Sequence, residues 1–239
     1  MSIDELTSMR SLLSAIDRKA ASLAADLHPA WIDAAWARLG PQAARTAARL
    51  PLRRHSALLA RVYDLRWPAL TAFREPAHRL ALLDRAGLVK VLAACALDGR
   101  RDAVRRSVGR VVRELLIEGI GESAYEKVLQ EPAPLMQAVE PMAAFDADPE
   151  RLAIEGFRLL CSQAAWRHPM LITIVRLSLP PAAQGGEPHP DSRPSGATQR
   201  TVDRLHEYFP ELAWLFGSDM DRALSVSPTG SSAPPTSLH

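Results

Sequence analysis

Apolar residues recur along this chain at the spacing of helices rather than strands. Ile3, Leu6, Met9, Leu13, Ile16, Ala20 and Leu23 follow one another at intervals of three or four, which predicts an amphipathic helix reaching about residue 25, opened by Ser2 and Glu5 as a capping box. Pro29 can open a second helix with Trp31, Ile32, Ala35, Trp36 and Leu39, closed at Gly40-Pro41. Prolines 41, 51, 68 and 76 then cut the pattern into short connecting helices over 42–50, 54–63 and 69–73.

The stretch 76–129 carries the cleanest periodicity. Asp84 is placed to cap a helix whose positions Leu88, Val89, Val91, Leu92, Cys95 and Leu97 leave almost no polar face, so that helix is expected to be buried. Asp98-Gly99 ends it, since Gly closes a helix C-terminus without steric cost. A second helix is expected over 101–118, with Val104, Val108, Val111 and Leu115 on one stripe and Arg106, Arg110 and Arg113 about half a turn away. Arg100, Arg101 and Arg105 crowd its N-terminal end, where a cation opposes the helix dipole by roughly 0.3–1 kcal/mol. Beyond the Gly119-Ile120-Gly121 break, Ser123 and Glu126 read as a capping box for a short helix through Leu129.

Asp148-Pro149 starts a further helix with Leu152, Ile154, Phe157, Leu159 and Leu160, and Pro169 opens a segment whose β-branched run Ile172 to Val175 would suit a helix or a strand. The helical surroundings favour a helix there. Residues 180–198 lack core-building side chains and read as a mobile loop, and residues 223–239 as a disordered tail. The expected fold is all-α: one irregular multi-helix domain over 1–222, followed by that tail.

Composition adds two constraints. Hydrophobic residues make up 47% of the 239 residues, with aromatics at 5%, and the abundance of Ala and Leu favours helices. There are 26 Arg and three Lys, yet the net charge is only +2, too small by itself to indicate a nucleic-acid binder. Cys95 and Cys161 sit among apolar neighbours without metal-ligand or disulfide-framework spacing, which points to a reduced, cytoplasmic setting. No apolar run is long enough for a signal-peptide core or a membrane span, so a soluble protein without direct membrane insertion is expected.

No motif for nucleophilic, phosphate-binding or metal chemistry is present. His78 is the one histidine inside the central stretch and reads as structural. Neither an enzyme activity nor a cofactor is indicated. The two helices around Asp98-Gly99, the second Arg-rich, leave a helix-turn-helix nucleic-acid binder as the alternative, although no Asn or Gln on the Arg face is available to read adenine.

The residues PAHRLALL at 76–83, the apolar helix 88–97, RRDAVRR at 100–106 with the 119–121 break, His28-Pro29-Ala30-Trp31 and FPELAWLF at 209–216 together resemble the K-subunit (SctK) family of type III secretion systems. The resemblance implies a non-enzymatic, mostly helical adaptor of the sorting platform, working in the cytoplasm at the inner-membrane face of the apparatus. It implies as partners the cytoplasmic domain of the inner-membrane ring protein and the Q subunit, and through the latter the stator and ATPase. On that reading Arg106, Arg110 and Arg113 form one contact face, since Arg is favoured at interfaces. Trp214 and Phe216 would anchor another, or else close the core.

Overall fold

The computed structural model describes residues 3–47, 49–107, 109–130, 140–162, 166, 168–184 and 201–225. Among these every regular element is helical: α1 (Ile3–Asp26), α2 (Pro29–Leu39), α3 (Pro41–Ala47), α4 (Leu52–Val62), α5 (Pro76–Arg79), α6 (Arg85–Gly99), α7 (Arg101–Arg106), α8 (Arg110–Ile120), α9 (Glu122–Gln130), α10 (Pro149–Cys161), α11 (Pro169–Leu177), α12 (Leu205–Tyr208), α13 (Ala213–Phe216) and α14 (Ser218–Ser225), with short 3₁₀ turns between some of them. The ambiguous β-branched run is thus helix α11. Most of the loop expected at 180–198 and of the tail lies outside the described residues; α14 continues to Ser225, past the expected start of that tail.

Helix α6 is the axis of the fold. The Asp84 carboxylate accepts a hydrogen bond from the Gly87 N–H at 2.7 Å, capping the helix as its sequence predicts. Leu88 and every residue from Val91 to Asp98 are buried, so the helix has no solvent face beyond its first turns. Its main partner is α10, capped in turn by Asp148 through Arg151 N at 2.8 Å. The two helices meet at backbone contact: a Cβ built on Gly156 would lie 1.9 Å from the Leu92 carbonyl oxygen. Ala153 of α10 and Ala93, Ala94 and Ala96 of α6 are buried small residues that keep both helices slim here.

A main core surrounds this pair, drawing on α1, α5, α8, α9, α11 and the C-terminal helices. A second, smaller cluster gathers Leu23, Ala24, Leu27, Ala35, Trp36, Ala47, Leu59 and Leu177, where α2, α3 and α4 close over the C-terminal half of α1. The tryptophan pair of α2 belongs to that cluster: Trp36 is buried, and Trp31 donates its indole N–H to the Leu179 carbonyl at 2.9 Å.

Buried charges at Arg79, Asp98 and the Lys19–Asp26 pair fix the assembly. Arg79 is fully buried and donates to the carbonyls of Phe73, Arg74 and Leu215 and to the Asp221 carboxylate at 2.6 Å. Asp98 accepts from Thr201 Oγ1 at 2.6 Å, from the Tyr208 hydroxyl at 3.3 Å and from Arg101 at 2.9 Å. Lys19 pairs with Asp26 at 3.0 Å and donates to the Leu83 carbonyl, tying α1 to the turn before α6. The first two together hold residues 201–225 against the core by hydrogen bonds whose partners would otherwise be desolvated and unpaired.

Candidate partner-binding surface

The single helix expected over 101–118 is two helices. Ser107 leaves the helical region (φ −76°, ψ 94°), donates its hydroxyl to the Ala103 carbonyl and accepts from the Met142 N–H at 2.9 Å, while Gly109 (φ −79°, ψ 126°) starts α8 afresh. Ser and Gly both compete well with a continuing helix, Ser through its own hydroxyl and Gly through its backbone freedom. The break rotates the apolar stripe. Val104 is buried on α7, but on α8 the buried positions are Val112, Leu116, Gly119 and Ile120, whereas Val111 is 62% exposed and Leu115 half-buried.

The three arginines expected on one face are consequently divided. Arg106 is exposed at the end of α7; Arg110 and Arg113 are exposed on α8, three residues and so nearly one turn apart. Arg110 pairs with Glu114 at 2.7 Å, an exposed i, i+4 pair of the kind worth about 0.3–0.5 kcal/mol. The crowded arginines at the start of α7 are occupied inside the fold. Arg100 meets Glu155 of α10 at 2.7 Å, Arg101 meets Asp98, and Arg105 donates to the Leu129 carbonyl of α9 at 2.6 Å. Their position against the helix dipole is explained by these links.

Next to α8 lies an apolar dip lined by Leu115, Ala144, Phe145, Ala147, Pro149 and Arg151. Phe145 is 67% exposed, and the Arg151 guanidinium stands 5.8 Å from its ring centre. Its exposure was not legible in the sequence, where Phe145 is one aromatic in an Ala- and Asp-rich stretch.

The C-terminal pair also separates. Phe216 is buried in the main core, which is the core-closing alternative, so it presents nothing to a partner. Trp214 is 42% exposed and stands over α1, where Thr7, Arg10, Ser11, Ser14 and Arg18 line an open groove of about 340 Å³ beside its ring. These α1 residues were missed by sequence reasoning, although the i, i+4, i+7, i+11 spacing of Thr7, Ser11, Ser14 and Arg18 marks one polar helical face. The apolar stripe of α1 follows the expected one only in part: Leu23 is buried and Met9 and Ile16 pack against the core, but Ile3, Leu6 and Leu13 are exposed and Leu12 and Ala15, outside that stripe, are buried.

Among the described residues no group of three His, Cys, Asp or Glu side chains could hold a metal ion, and no helix is long and apolar enough to cross a membrane. Burial pushes the Cys95 thiol up to about 12 and the Cys161 thiol up to about 11, so neither is poised as a thiolate nucleophile. His78 holds the Ala72 carbonyl through Nδ1 at 2.6 Å and packs edge-on to His168, a structural placement.

The sequence matches the family described as bacterial type III secretion protein (HrpB4) over residues 13–211. The chain belongs to the HrpB4 family. That match spans every helix from the second half of α1 through α12 and agrees with the resemblance to the K-subunit family of the same secretion systems. No curated protein and no solved structure matches the chain. For an HrpB4 protein the exposed Arg110–Arg113 face, the Phe145 dip and the Trp214 groove are the candidate contact surfaces.

Proposed function

We propose that this HrpB4 protein is a non-enzymatic adaptor of the type III secretion sorting platform, bridging the cytoplasmic domain of the inner-membrane ring protein and the Q subunit, and through it the stator and ATPase. What carries the reading is membership in a family of bacterial type III secretion proteins. Arg110 and Arg113, with Arg106 on the neighbouring helix, supply one contact face, and Trp214 a second. Arg and Trp are the residue types that most often dominate interface energetics. An adaptor also needs a body that does not deform between its two partners, and the backbone-close α6–α10 pair with its buried polar pins provides one. Its place is the cytoplasmic face of the inner membrane.

The test is a capture assay with the purified chain, the recombinant ring-protein cytoplasmic domain and the Q subunit. The wild type retains both. Charge reversal of Arg106, Arg110 and Arg113 to Glu removes one of them, with circular dichroism unchanged, and Trp214→Ala weakens the other. Full retention of both by the triple variant rejects the Arg face, and retention of neither by the wild type rejects the adaptor role.

A further inference from the structure

The groove between α1 and α13 carries two cations that the fold does not use. Arg10 and Arg18 have no carboxylate or hydrogen-bond partner among the described residues, and no acidic residue lines the groove beside them. Neighbouring carboxylates are directed elsewhere: Asp17 lies 3.7 Å from Arg53 of α4, and Asp221 binds Arg79. The walls are preformed. Buried Leu12, Ala15 and Leu23 anchor α1 in the core, and Trp214 is followed by buried Leu215 and Phe216, with the Leu215 carbonyl held by Arg79.

We propose that this groove docks an acidic segment of a partner protein, whose carboxylates pair with Arg10 and Arg18 and whose apolar side chain lies on Trp214. The proposal rests on the adaptor reading and specifies the chemistry of its Trp214 contact. Charge complementarity selects the occupant: two unpaired guanidinium groups, hydroxyls of Ser11 and Ser14 between them, and one exposed indole at the edge. Arg10 and Arg18 stand eight residues apart, about 12 Å along the helix axis at a rise of 1.5 Å per residue. That span fits carboxylates about two turns apart on a docked helix. The exposed Leu6 and Leu13 continue the surface on the far side of Arg10, which extends the footprint to an amphipathic partner.

The probe is a fluorescein-labelled amphipathic peptide of Glu, Ala and Leu long enough to span both arginines, with Gln-for-Glu and Lys-for-Glu versions and a single-stranded oligonucleotide as comparisons. Binding to the full chain is read by fluorescence anisotropy. The acidic peptide binds, the Gln and Lys versions bind at least about tenfold more weakly, and the double variant R10E/R18E and the single variant W214A each lose about tenfold or more in affinity. Ser14→Glu, which places a negative charge in the groove, loses binding too, so the outcome does not depend on one variant. Thr46→Glu, at a solvent-facing position away from the groove, serves as the charge control and leaves binding unchanged. Equal binding of the Gln peptide, binding of the acidic peptide that survives R10E/R18E, or preference for the oligonucleotide overturns the proposal. The assay contains no secretion component, so a failed adaptor role leaves its result standing, and a failed peptide assay alongside intact partner capture removes the acidic-segment assignment alone.

Discussion

Replacing Gly156 by Ala is the sharpest probe of this fold, because two effects of opposite sign meet at one position. In an isolated helix the change stabilises by about 1 kcal/mol, since Gly is the weaker helix former. In the protein the new methyl would lie 1.9 Å from the Leu92 carbonyl oxygen and 2.8 Å from its carbon. A carbon–oxygen contact is comfortable at about 3.3 Å or more, so α6 and α10 would have to part by about 1.4 Å. A gap of 0.5–1 Å already forfeits roughly a quarter to a half of each dispersion contact, and overpacking a core costs about 1–3 kcal/mol or more. The obstacle is backbone in the most buried helix and cannot swing aside, which places the net loss at about 2–4 kcal/mol after the propensity gain. In urea, with a slope of about 2 kcal/mol per molar, the unfolding midpoint followed by circular dichroism falls by about 1–2 M. Gly99→Ala is the control, since a Cβ there meets only the Leu159 Cδ1 at an ordinary 3.8 Å and moves the midpoint little. A Gly156→Ala midpoint equal to or above the wild type would refute the backbone-contact account of the α6–α10 pair.

Other outcomes follow from the buried polar groups. Lys19→Met leaves the Asp26 carboxylate buried without its cation and costs about 3–5 kcal/mol, much of it recovered in the double variant with Asp26→Leu, as read by thermal unfolding. Arg79→Met strands three backbone carbonyls and loosens residues 201–225, so limited proteolysis cleaves near that segment before the rest of the chain unfolds. Hydrogen bonds from Arg204, with Lys127 of α9 adding to them, hold the Glu207 carboxyl down to about 2. Its depressed value stabilises the fold above the ordinary carboxyl value near 4.5 and is lost as pH falls towards 2; Glu207→Gln therefore makes the acid decline of the urea midpoint shallower across that window. A thiol reagent at neutral pH labels Cys95 only on unfolding, since the thiol is buried and pushed up to about 12.

The elements with strong local signals were readable from the sequence: the Asp84-capped apolar helix, the Asp148-Pro149 and Pro169 starts, and the all-helical class. Where local rules compete with tertiary contacts, the pattern misled. Periodicity extends α7 through Ser107, but that hydroxyl bridges Ala103 and Met142, a residue 35 positions away, and the break moves Val111 from core to surface. The same limit applies to α1, where the packing of α4 and α14 turns the buried face to include Leu12 and Ala15 beside Leu23 and leaves Leu6 and Leu13 outside. Of the candidate contact residues, Arg106, Arg110, Arg113 and Trp214 are exposed. Phe216 is not, because exposure within a Trp-Leu-Phe triplet depends on which neighbour the segment docks against.

Arg79 and Asp98 act as sockets on the core side, and the returning segment supplies matching plugs in Thr201, Tyr208, the Leu215 carbonyl and Asp221. Because its seat is specified at both ends by fittings of fixed direction, the terminal segment is located by what it plugs into and not by the chain that delivers it. Held by these fittings, Trp214 stands over its turn of α1 in register with the core, and the surface it helps build inherits that register.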